Sequence, residues 1–122
     1  MAEEAPGLRP EVEFSTFEKL DVRSGVVIEA EFFPEARKPS IKLRIDFGAE
    51  IGIRQSSAQL TLHYTPQALV GRDVLAVVNV PPRRIAGFPS EVLVLGLLAS
   101  DDPGDVILIC PDRPGTKGRR LG

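Results

Sequence analysis

The chain has 122 residues, 43% hydrophobic and 26% charged, with a formal net charge of −2. Such a length fits one domain with a single core, since domains most often run to about 100–150 residues. Cys110 is the single cysteine, which excludes an intrachain disulfide and agrees with a reducing, cytoplasmic setting; no apolar run approaches the roughly 20 residues that span a bilayer, so no membrane insertion is expected.

The charge is unevenly spread. Residues 1–21 hold six acids (Glu3, Glu4, Glu11, Glu13, Glu18, Asp21) against Arg9 and Lys19. The remainder is mildly basic, with Arg37, Lys38, Lys42, Arg44 and Arg54 close together and Arg113, Lys117, Arg119 and Arg120 near the end. Residues 1–13 are expected to form a disordered acidic leader, because Pro6, Gly7 and Pro10 break it and few apolar groups offset the cost of ordering. The folded domain is expected over residues 14–122.

Phe14–Leu20 predicts one or two helical turns capped by Ser15 or Thr16, with Phe14, Phe17 and Leu20 on one face. Val22–Phe33 predicts a long strand with a bulge or bend at Gly25. The Pro34–Pro39 stretch reads as a loop. Ile41, Leu43, Ile45 and Phe47 alternate with Lys42, Arg44 and Asp46, the period of a half-buried strand with one wet face. Ile51–Ala58 is its expected hairpin partner. Thr65 and Pro66 mark the start of a short helix that Gly71 ends. Val74–Val80, Val92–Leu98 and Val106–Cys110 are almost continuously apolar and predict strands buried on both faces. Their surplus of apolar surface suits either a dimer interface or plain core.

About six strands with a short helix between the third and fourth predict an all-β fold, an oligonucleotide-binding barrel with short flanking helices. Enzyme chemistry is not expected, and no cofactor or metal is implied. His63 is the sole histidine and has no ligand cluster beside it at metal-binding spacing. Cys110 lies in an apolar run and reads as an inert buried thiol.

Binding chemistry is better represented. Lys42 and Arg44 share one strand face about 7 Å apart, Arg37 and Lys38 stand on the adjoining loop, and Arg54 lies on the facing strand. Five bases on one surface can neutralise several phosphates; a solvated strand face is the plain alternative. That face shows no aromatic residue in sequence, which favours backbone and shape recognition, as with folded RNA. A second constellation runs from Asn79 to Glu91. Asn79 and Ser90 can read base edges or a 2′-hydroxyl, Arg83 and Arg84 suit phosphate, and Phe88 can stack a base or grip an apolar peptide group together with Ile85. Here the alternative is an ordinary hairpin loop.

In this second constellation Asn79, Pro82, Ile85, Gly87, Ser90 and Glu91 form a pattern that resembles the tRNA-binding domain family, which includes the C-terminal domain of methionyl-tRNA synthetases. Phe17, Leu20-Asp21-Val22-Arg23 and Gly25 match it as well, as does Gly71-Arg72. Pro34-Glu35-Ala36-Arg37-Lys38-Pro39, Lys42-Leu43, Ile45-Asp46-Phe47-Gly48, Ser56-Ser57-Ala58-Gln59 and Pro111-Asp112-Arg113-Pro114 are similar to the CsaA subgroup. The resemblance implies a homodimer joined through its flanking segments. It also implies two roles, tRNA binding and a chaperone-like part in protein export with unfolded precursor proteins and the Sec translocase motor as partners. The export role ranks slightly ahead on subgroup similarity. The binding positions it carries over are Arg37, Lys38, Lys42, Asn79, Arg83, Arg84, Ser90 and Glu91.

Overall fold

The structure, a computed structural model, describes residues 7–122. Most of the acidic leader's first half lies outside the described residues; Gly7–Glu13 form neither helix nor strand and are exposed. Helix α1 (Phe14–Glu18) starts two or three residues earlier than a cap at Ser15 or Thr16 would place it. Glu13 occupies the cap position without a side-chain cap, and the backbone bond from Thr16 N to Glu13 O closes the turn. All of α1 is exposed, with Phe14 and Phe17 in mutual ring contact at 5.8 Å.

The alternating segment behaves as expected. Strand β2 (Ile41–Asp46) buries Ile41, Leu43 and Ile45, and Phe47 follows them into the core, each exposed by 1% or less. Burying each such side chain contributes about 1.5–3 kcal/mol. β2 pairs antiparallel with β1 (Val22–Phe32) on one side and with β3 (Ile53–Ala58) on the other. β1 then pairs with β4 (Asp73–Val77), which pairs with β7 (Leu93–Val94), giving the order β3-β2-β1-β4-β7. Helix α2 (Pro66–Leu69) sits between β3 and β4 as predicted, with Thr65 Oγ1 accepting from Ala68 N and Leu69 fully buried. Two further hairpins, β5 (Arg83–Ile85) with β6 (Phe88–Ser90) and β8 (Gly96–Leu98) with β9 (Val106–Leu108), complete the oligonucleotide-binding type of barrel.

Several expectations need correction. The bulge in β1 lies at Ile28, where the register passes from Val27↔Ile45 to Glu29↔Arg44, and not at Gly25. Gly25 serves close packing instead. A Cβ there would meet Ile45 Cγ2 at 2.6 Å and the Phe47 ring at 2.8 Å. The late apolar runs are not buried on both faces: Leu93, Leu97, Leu98 and Ile107 are exposed, Leu98 by 72%. The run Val92–Leu98 is also split between β7 and β8. At Gly96 a Cβ would collide with Val106 Cγ1, so only glycine lets β9 lie this close. Cys110 falls beyond β9 and is exposed, because the strand ends before the apolar run does.

Side chains close the barrel. The edge of β3 faces the segment leaving β6, and no regular ladder joins them. Glu91 N donates to Gln55 O at 2.9 Å, and the Glu91 carboxylate accepts from Gln55 N at 2.9 Å. Ser90 Oγ accepts from Ser57 N at 3.0 Å and lies 3.3 Å from Ser56 Oγ, which itself donates to Val92 O at 2.9 Å. Elsewhere the C-terminal segment covers the part of the β1 edge that β2 leaves open. Gly118 N donates to Ser24 O, Ser24 N to Arg119 O and Leu121 N to Val22 O. Lys117 holds this segment to Asp46 at 3.0 Å, and the Gly48 backbone N–H together with Lys117 keeps the Asp46 carboxyl below the usual carboxylate range.

Two substitutions test this packing. Gly25→Ala should lower the urea midpoint by the equivalent of about 1–3 kcal/mol, the range for overpacking a core; an unchanged midpoint would remove the close-packing account. Ser90→Ala should cost about 1–3 kcal/mol by leaving the Ser57 N–H without its acceptor, and a variant as stable as wild type would mean the seam is held by something else.

Candidate nucleic-acid interface

The loop between β1 and β2 and the β5–β6 hairpin form the two walls of the site. The loop is pinned at its base by Phe33 N donating to Ser40 O and by Ser40 Oγ donating to Lys38 O, so Arg37 and Lys38 project from a closed turn. The hairpin turns through Ala86 and Gly87, both at positive φ (48° and 82°), the geometry of a tight two-residue connection. Arg84 Nη1 donates back to Gly87 O at 3.0 Å, while Arg83 and Arg84 remain exposed.

A cleft of about 1120 Å³ lies between these walls. Arg37, Lys38, Arg83 and Arg84 all line it, over an apolar floor that includes Leu60 and Val94. None of the four cations forms an ion pair among the described residues, and Glu35 is the only acid in the lining. Four unpaired cations on a concave surface focus positive potential where a phosphate chain can enter. Ile85 also lines this cleft; Phe88 does not, and lies half-buried in a neighbouring pocket of about 200 Å³.

The remaining sequence-predicted residues have other settings. Arg44 is paired with Glu29 at 2.8 Å, its directly opposed neighbour across the bulged β1–β2 ladder. Lys42 lies in the smaller pocket, its ammonium 4.5 Å from the Phe33 ring centroid and 4.8 Å from that of Phe88. The wet face is therefore not free of aromatic groups, as the sequence suggested. Both rings lie next to it, supplied by the residue that follows β1 and by the hairpin. Arg54 is opposite Ile45 in the β2–β3 register, and directly opposed residues share a face, so it sits on the other side of the sheet from Lys42 and Arg44. Its Nε donates to Ile51 O at 3.4 Å.

Asn79, Ser90 and Glu91 make side-chain hydrogen bonds within the fold. Asn79 Oδ1 accepts from Asp21 N at 2.8 Å and its Nδ2 donates to Lys19 O at 2.7 Å, which clamps the connection from α1 into β1. Asp21 is further tied to Arg23, whose hydrogen bond holds that carboxyl below its usual range. Ser90 and Glu91 form the seam described above. Sequence reasoning missed Phe33 as a partner of Lys42, and Ser57 and Gln59, which line the cleft from the end of β3. Their presence in Ser56-Ser57-Ala58-Gln59 was the available signal. His63 bonds Asp105, joining the loop after β3 to the β8–β9 hairpin, and lowers the Asp105 carboxyl pKa; no group of three or more metal-ligating residues occurs among the described residues.

Comparison with known proteins agrees with this geometry. The family described as "Putative tRNA binding domain" matches residues 22–120. The methionine–tRNA ligase of Porphyromonas gingivalis is 37% identical over 110 residues, which cover 90% of this chain but only 15% of the ligase. Among solved structures, chaperone CsaA of Bacillus anthracis superposes with a TM-score of 0.87 at 49% identity, covering 93% of this chain and all of that one. The CsaA chaperone protein of Picrophilus torridus gives 0.84 at 41% identity, covering 92% of this chain and all of that one. The barrel, the motif residues and these matches together make the chain a member of the tRNA-binding domain family, with the CsaA chaperones among its structural neighbours.

Proposed function

We propose that this chain is a non-catalytic binding protein that holds tRNA by its phosphate backbone in the cationic cleft. The convergence of Arg37, Lys38, Arg83 and Arg84, unpaired among the described residues, is the observation that carries the reading. Phosphate contacts of this kind position an RNA without reading its sequence. Recognition then rests on the shape of the folded RNA. The bonds that Asn79, Ser90 and Glu91 make within the fold support this division, since they commit Asn79 Oδ1, Ser90 Oγ and Glu91 Oε1 to the protein's own backbone.

A second reading, a CsaA-type chaperone for unfolded precursor proteins acting with the Sec translocase motor, draws on the similarity to the two CsaA chaperones. Leu97, Leu98 and Ile107 on the β8–β9 hairpin and Phe14, Phe17 and Leu20 around α1 are all exposed in the single chain. Leu97 and Ile107 are directly opposed on the hairpin and the Phe14 and Phe17 rings touch on α1, and apolar surface of this kind marks an interaction site. We assign it to a second copy of the chain, which makes the working unit a homodimer and leaves the cleft for the ligand.

In a fluorescence-anisotropy titration, tRNA affinity should fall about a hundredfold between 50 and 200 mM salt, the loss expected for about four neutralised phosphates. Arg83→Glu with Arg84→Glu should weaken binding at least about tenfold, as should Arg37→Glu with Lys38→Glu. Salt-independent binding, or affinity untouched by both reversals, would reject the cleft. If an unfolded peptide binds and tRNA does not, the chaperone reading stands alone. Sedimentation velocity should show a dimer that Leu98→Asp dissociates, and a monomeric wild-type protein would refute the second copy.

A further inference from the structure

We infer that Lys42 is a positioning residue, a cationic staple that fixes the distance between the two walls of the cleft, and not a phosphate ligand. Phe33, 3% exposed, stands at the root of the loop that carries Arg37 and Lys38. Phe88 opens β6, directly paired with the strand that carries Arg83 and Arg84. The two rings meet edge to face, with centroids 5.5 Å apart and planes at 67°. Lys42 completes the contact by placing its ammonium within 5 Å of both centroids.

A cation attracted by two aromatic faces is held where it is. Lys42 stands opposite Glu31 in the β1–β2 register, yet forms no ion pair among the described residues, so the rings are its partners. No backbone ladder ties the β5–β6 hairpin to the loop, and the seam with β3 holds the hairpin on its β6 side, at Pro89, Ser90 and Glu91, with Gln55 Nε2 donating to Pro89 O at 3.0 Å. The Phe33–Lys42–Phe88 contact joins the start of β6 to the root of the loop. Loss of the cation should let the two pairs of basic residues drift apart, which weakens a ligand that must touch both.

The experiment has two arms, and only the second rests on the proposed tRNA binding. In the first, amide hydrogen exchange is followed at Ile85 and Phe88 without RNA. Lys42→Gln should speed exchange roughly two- to thirtyfold relative to β2. Lys42→Arg, which keeps a cation able to stack, should restore protection. Lys42→Gln in a Phe88→Ala background should add little, because the two changes remove one interaction. Unchanged exchange in Lys42→Gln overturns the staple. In the second arm, Lys42→Gln should weaken tRNA binding while the slope of affinity against salt stays that of wild type. A slope reduced by about one, persisting in the Phe88→Ala background, would make Lys42 a phosphate contact and overturn the inference. If wild-type protein binds no tRNA even at low salt, the proposed function fails, and the exchange arm alone decides the role of Lys42.

Discussion

The seam between β3 and the segment leaving β6 is the constraint on which the rest of the structure depends. A barrel this small must satisfy the edge of its outer strand, since an unpartnered buried amide costs about 1–3 kcal/mol. Here no ladder joins β3 to β6, and Ser56, Ser90 and Glu91 supply donors and acceptors across the gap. Among the described residues no buried side-chain nitrogen or oxygen lacks a partner. Closure by side chains has a geometric effect that a ladder would not. It leaves β5 and β6 outside the main sheet, as a flap beside the barrel with its own basic residues.

That arrangement separates two tasks within one motif. The polar residues from Asn79 to Glu91 that look suited to reading RNA are those whose bonds shape the barrel, while the guanidiniums of Arg83 and Arg84 are left outward. Arg44 is likewise offset by Glu29. Positive charge unpaired among the described residues thus concentrates where the loop and the flap face each other. In a protein of net charge −2, this local focus matters more than the total.

How far the molecule was legible from its sequence follows from the range of each signal. Period-2 alternation is local, so Ile41 to Phe47 announced both the strand and its buried face. Thr65 and Pro66 act within one helical turn and marked α2 equally well. The bulge at Ile28 has no local mark, because Val26-Val27-Ile28 looks like uninterrupted strand; only pairing with β2 reveals the extra residue. Arg54 depended on the same kind of information, since its face is set by the β2–β3 register. The apolar run at Val92–Leu98 was misleading because leucine has the same hydropathy whether it meets a core or solvent. The ring contacts of Lys42 were hidden for another reason: Phe33 and Phe88 lie far apart in the chain and meet only after the barrel closes.

The C-terminal segment along the open edge of β1 has a consequence for how such a domain is joined to others. Leu121 N bonds Val22 O, so the backbone leaves the barrel beside the point where it first enters the sheet. With entry and exit on adjacent rungs, a polypeptide can run into this unit and out again without spanning it. The barrel can therefore be carried as an appendage of a longer chain with little demand on linker length, a geometry that suits a module found within proteins much larger than itself.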